Sequence, residues 1–106
     1  MAHYAEVDKQ TNIVQRVVVV SNELITLPDG NEDESIGSKF LSEMFPNSGY
    51  WIRTSYNHNK RKMYAGIGYR YVPTDDVFIP PAFHSLKEYE EYEDFVSSLD
   101  NNLSQT

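Results

Sequence analysis

The segment SYNHNKRK, residues 55–62, carries the densest polar chemistry in this sequence. It sets His58 among Asn57, Asn59, Lys60, Arg61 and Lys62. An imidazole titrates near neutrality, so His58 is the natural candidate for a general base or a metal ligand. A metal needs several such groups converging. The other histidines are His3 and His84, no two stand at i, i+4, and no H-E-x-x-H occurs. The chain has no cysteine, which excludes thiolate zinc sites and disulfides. Asn57, Asn59 and Arg61 suit a sugar, a phosphate or a neighbouring protein, and the protein contact is the preferred reading.

Other chemical patterns are fragments. Gly66-x-Gly68 is half of a dinucleotide fingerprint, but Tyr69-Arg70-Tyr71 follows where the third glycine and a helix are required. Serine, histidine and aspartate occur without a G-x-S-x-G elbow. Glu90, Glu91, Glu93 and Asp94 read as the wet face of a helix rather than as a catalytic carboxylate pair. Tyr69 and Tyr71 beside Arg70 suit base stacking, yet a net charge of −7 opposes a nucleic-acid partner. The expectation is a non-enzymatic chain with no catalytic, cofactor-binding or metal-binding residues and no membrane partner.

Charge is unevenly spread. Residues 53–70 carry +5, between an acidic first half at −5 and an acidic end at −7. Such asymmetry can set the register of subunits against one another. The N-terminus MAHYAEVDKQ lacks the basic and apolar regions of a signal peptide, and the longest apolar run, Val17 to Val20, is far too short for a membrane span.

The elements expected to carry these residues are those of a small α+β domain. AHYAEV and IVQRVVVVSN, near residues 2–7 and 12–21, read as an N-terminal hairpin around DKQTN. The second strand is apolar on both faces toward its end, so it is expected to be central and covered on both sides. Pro28-Asp29-Gly30 is a turn. Ile36, Phe40, Leu41 and Met44 recur at helical spacing, predicting a helix over about 34–45 that is capped near Asp33, weakened by Gly37 and stopped at Pro46. YWIRTSY predicts a third strand, and KMYAGIGYRYV with DDVFIPP a closing hairpin whose glycines curve the sheet. Ser85 and Glu88 form a capping box before Leu86, Tyr89, Tyr92, Phe95, Val96 and Leu99, predicting an acidic amphipathic helix over about 85–99 with a frayed tail from Asp100. An antiparallel sheet of about five strands with one inserted helix thus occupies 1–83, and the C-terminal helix and tail occupy 84–106.

AHYAEVDKQTNIVQRVVVVSNE, TSYN, the basic loop, YAGIGY and D-x-F-I-P-P occur together and in this order. Over roughly residues 2–83 the chain resembles small, mostly unassigned proteins of marine bacteriophages of the cyanophage type. The element G-x-x-Y-x-P…D-x-F-x-P-P is similar to terminal β-modules of phage tail-associated proteins. Such proteins end in another extended segment, whereas this chain departs after Phe83 into an acidic helix. The resemblance implies a viral origin and a virion component, located in the particle and, during assembly, in the host cytoplasm. The expected role is structural or accessory, as a head decoration or a neck- or tail-associated protein, working through protein–protein contacts. The alternative is an early phage protein that binds and redirects a host protein. Expected partners are other virion proteins or further copies of this chain. Expected contact residues are Asn57, His58, Lys60, Arg61, Lys62, Tyr89, Tyr92, Phe95 and Leu99.

Overall fold

The computed structural model describes residues 1–54 and 64–104, with side chains through 99. Strands β1 (Ala2–Val7) and β2 (Val14–Val20) form an antiparallel hairpin. Its loop is built by Asp8, whose carboxylate accepts the backbone N–H groups of Gln10 at 2.8 Å and Thr11 at 2.9 Å. Those bonds, that of Thr11 foremost, hold the Asp8 carboxyl below the usual carboxylate range. Asn12 closes the loop at φ 61°, a left-handed conformation that asparagine tolerates well. A register shift at Glu6 and Val7 leaves Gln15 as a bulge on β2.

Strand β3 (Tyr50–Thr54) pairs antiparallel with the other side of β1, giving the order β2-β1-β3. The expectation that the valine-rich second strand is central is therefore corrected: β1 is central and β2 lies at the sheet's edge. β1 buries residues on both faces, Ala2 and Tyr4 on one, Ala5 and Val7 on the other. Val18 and Val20 of β2 meet the helical layer, and Val14 and Val17 the layer on the other face, while Val19 stays largely exposed.

One layer is helical. Ser21 caps a short helix α1 (Asn22–Ile25), which the turn formers of that stretch concealed. Asp33 caps α2 (Glu34–Met44), accepting the Ser35 N–H at 2.9 Å. The Pro28–Gly30 turn forms as expected, with Gly30 at φ 89° and its N–H on Leu27 O at 2.9 Å. Ile25 and Leu41 pack with Ala2, Tyr4, Val20 and Trp51, joined by Val18, Ile36, Phe40 and Phe45. Gly37 sits where α2 crosses Tyr4: a Cβ there would overlap the phenol. The Tyr4 hydroxyl donates to Glu34 O at 2.9 Å.

The opposite face meets β4 (Arg70–Val72) and β5 (Val77–Ile79), an antiparallel hairpin that forms its own two-stranded sheet. Tyr71, Phe78 and Ala65 cluster with Ala5, Val7 and Val14, and with the partly buried Val17, Tyr50, Ile52 and Tyr69. The hairpin hangs from the start of β2. Val14 N–H donates to Tyr69 O at 2.7 Å, Gly68 N–H to Val14 O at 2.9 Å, and Tyr71 N–H to Asn12 O at 2.8 Å. The glycine expectation is corrected here. Gly66 and Gly68 precede the strand, with Gly68 in a turn at φ 89°, so they make a corner rather than a curved strand. Gly66 admits the Tyr69 ring, whose Cε1 would stand 3.1 Å from an added Cβ.

Helix α3 (Leu86–Ser104) closes the chain and touches β5. It runs past the expected end because DNNLS holds no proline or glycine to stop it. About 28 Å long by helical rise, it contributes to an elongated molecule of 53 × 34 × 20 Å. The radius of gyration is 16.2 Å, against about 13 Å for a compact domain of this length. The fold class is α+β, with five strands in antiparallel sheets, short helices and a C-terminal helix among the described residues.

Candidate interaction surface

Helix α3 begins as its sequence requires. The Ser85 hydroxyl accepts the Glu88 N–H at 3.1 Å, and the Glu88 carboxylate reaches back to the His84 N–H at 3.3 Å. The entry is fastened to the body by Arg70, whose guanidinium donates to Phe83 O at 2.7 Å. The Phe83 ring packs edge-on against Tyr89 and tilted against Tyr92, each with centroids 5.1 Å apart. Burial, with Glu93 adding, pushes the Tyr89 phenol above its ordinary pKa. The apolar stripe therefore divides. Its first turn docks on the chain's own body. Beyond it, Tyr92 is 51% exposed, Phe95 61% and Leu99 45%.

Of the expected contact residues, Tyr92, Phe95 and Leu99 share one open face, while Tyr89 is half-buried beneath them. Asn57, His58, Lys60, Arg61 and Lys62 lie outside the described residues.

A second apolar surface was not read from the sequence. A groove of about 460 Å³ runs between β2 and α2, lined by Val18, Val19, Val20, Leu24, Phe40 and Met44 among others. At its mouth Leu24 is 38% exposed and Met44 53%. The signal was present in the four consecutive valines, but it was assigned to a central strand, which would have hidden them.

One end of this helix-covered face is polar. Arg16 pairs with Glu6, and its guanidinium lies 4.1 Å from the Phe45 ring centroid and 5.4 Å from that of Trp51. Glu6 also accepts the Gly49 N–H at 3.3 Å, and Trp51 Nε1 donates to the Ser48 hydroxyl at 3.0 Å. These contacts bind the 45–49 turn to the sheet. Their partners are all satisfied within the cluster, which suits a fastening rather than a reactive centre.

Among the described residues no group of three or more histidines, aspartates or glutamates is placed to hold a metal ion. His84 faces Glu88 at 3.4 Å on the exposed first turn of α3. No described helix is long and apolar enough to cross a membrane. Comparisons with protein-family models, with curated proteins and with solved structures returned no match.

Proposed function

We propose that this chain is a bacteriophage virion protein, structural or accessory, that acts through protein–protein contacts and without catalysis. Its place is the head surface or the neck and tail, and its partners are other virion proteins or further copies of itself. The observation that carries this reading is the second half of α3. A helix of this length is marginal when its apolar face has nothing to rest on. Tyr92 and Phe95 are each more than half exposed and lie one turn apart, with acidic residues around them. Large aromatics near the centre of a patch are the side chains that dominate binding energy at protein interfaces. The phage resemblance over residues 2–83 supports the viral setting, and the α3 stripe supports the contact. On this reading the sheet is the rigid body, and α3 and residues 57–62 are what neighbours grip.

Mass spectrometry of purified particles tests it. The protein is expected in many copies per particle. Particles carrying Tyr92→Ser with Phe95→Ser are expected to lose it while the isolated variant stays folded by circular dichroism. Absence from particles, with specific capture of a single host protein, would replace this reading with that of a host-directed effector.

A further inference from the structure

We infer that Asp29–Gly30 is a site of spontaneous covalent modification: the Asp29 side chain and the Gly30 backbone nitrogen close to a succinimide, whose hydrolysis leaves isoaspartate at position 29. This does not depend on the virion reading and concerns a different part of the molecule.

The sequence confines the chemistry to one place. A backbone nitrogen attacks the preceding side chain most easily when its own residue has no Cβ in the way, so glycine permits the step best. Of the five glycines only Gly30 follows an aspartate, and none follows an asparagine. The fold then presents that dipeptide in the open. Pro28, Asp29, Gly30 and Asn31 are all exposed. Nothing lies within 4 Å of the place a Gly30 Cβ would occupy, so the closing ring and the water that opens it both have room.

The turn sets the geometry. Gly30 N–H donates to Leu27 O at 2.9 Å and Leu27 N–H to Asn31 O at 2.7 Å, next to the pairing of Thr26 with Glu32. With Gly30 at φ 89°, this is the three-residue hairpin loop in which a type I turn runs into a glycine bulge. Asp29 Oδ1 accepts the Asn31 N–H at 2.9 Å, and Oδ2 accepts from Asn31 Nδ2 at 3.2 Å. The carboxylate is thus folded forward along the chain, and the ring closed by the Oδ1 bond contains the Gly30 nitrogen. Reactants tethered in this way need no encounter. Two features restrain them. The Gly30 N–H is engaged with Leu27 O, and an ionised carboxylate is a weak electrophile. The reaction therefore runs through transient opening of the turn, slowed about fivefold by the one hydrogen bond that must break.

The step needs no co-reactant but water. Gly30 N bonds to Asp29 Cγ, and its proton leaves with the carboxyl hydroxyl as water. Water then adds to the main-chain carbonyl carbon of Asp29, the bond from that carbon to Gly30 N breaks, and the nitrogen regains a proton. The main chain now runs through Cβ and Cγ, one methylene longer, and the former main-chain carbonyl is a free carboxylate. A hairpin loop of fixed length cannot absorb the extra atom and keep both Leu27 bonds. The disturbance reaches Asp33, whose N–H donates to Ile25 O at 2.8 Å where the turn joins α1 to α2. Isomerisation thus loosens the α1–α2 junction and leaves the sheet intact.

Ageing of the full chain is the test. The protein is held for weeks at physiological temperature, folded or in guanidinium chloride, then digested and fragmented by electron transfer, which distinguishes isoaspartate from aspartate. An isoaspartyl methyltransferase with labelled S-adenosylmethionine counts the total. Isoaspartate is expected to accumulate at position 29 ahead of every other aspartate, about fivefold faster in the denaturant. Asp29→Glu should abolish it, because the longer side chain must close a larger ring. In the aged protein, amide hydrogen exchange should quicken at Leu27 and Asp33 and stay unchanged across β1 and β2. A folded chain still free of isoaspartate at 29 after the denatured chain has converted overturns the inference. So does equal methylation of Asp29→Glu, or isoaspartate confined to other positions such as Asn47. Unchanged exchange at Leu27 and Asp33 in the converted protein overturns the claim that the junction loosens.

Discussion

Replacing Gly37 with alanine should destabilise this protein, against the rule for helix interiors. Position 37 lies inside α2, where alanine exceeds glycine in helix propensity by about 1 kcal/mol. Space decides otherwise. A Cβ there would overlap the Tyr4 hydroxyl and Cζ and stand 2.8 Å from Cε1. Tyr4 is fully buried, and its hydroxyl is held on Glu34 O at 2.9 Å. Overpacking of that kind costs about 1–3 kcal/mol, and displacing the phenol from Glu34 O forfeits about 1 kcal/mol more. The net is a loss of about 1–3 kcal/mol, or a fall in Tm of about 5–15 °C for a chain of this size. Urea unfolding monitored by Trp51 fluorescence measures it. The decisive comparison is the same substitution in a Tyr4→Leu background. Leucine lacks the ring that meets the new methyl, so Gly37→Ala should there raise stability by about 1 kcal/mol. The reversal corresponds to a coupling of about 2–4 kcal/mol between the two positions. Equal effects in both backgrounds would refute the steric account.

The remaining expectations follow from single contacts. Burial pushes the Tyr4 phenol up to about 12, Arg53 nearby partly opposing it. The phenolate is disfavoured in the fold, so the stability Tyr4 contributes is complete below pH 10. On the order of 2 kcal/mol of it is lost as pH rises from 10 through 12, and Tyr4→Phe removes that alkaline slope. Asp8 and Asp33 are both held below the ordinary carboxylate range, Asp33 chiefly by the Ser35 hydroxyl and then its N–H. Their contribution is present above about pH 4 and disappears as pH falls through their lowered values, so the acid slope in chemical denaturation should flatten in the Asp8→Asn, Asp33→Asn double variant. Arg16→Ala removes the guanidinium from Phe45 and Trp51 and leaves Glu6 unpaired, lowering stability by about 1–2 kcal/mol in urea titration. Tyr92→Ser with Phe95→Ser should change unfolding free energy by under about 1 kcal/mol, because both side chains are more exposed than buried.

Much of this protein is written locally, and those parts are legible without a structure. Asp33 and the spacing from Ile36 to Met44 specify a capped helix within one residue of where α2 forms. The turn at Pro28–Gly30, the first hairpin, and Ser85 capping α3 are likewise fixed by backbone geometry and by side-chain bonds spanning a few residues. The open stripe of Tyr92, Phe95 and Leu99 was visible as a helical period. What the sequence could not decide is which surfaces meet. Strand order is a contest between long-range pairings, and nothing in VQRVVVV states that the plainer AHYAEV will take the centre. Gly37 reads as a helix weakness until Tyr4, distant in sequence, is found against it. Gly66 and Gly68 read as a curved strand until the edge of β2 captures residues 68–71 and turns them into a corner. Local propensity and periodicity are properties of neighbouring residues; edges, grooves and close approaches arise only when segments far apart in the chain compete for the same space.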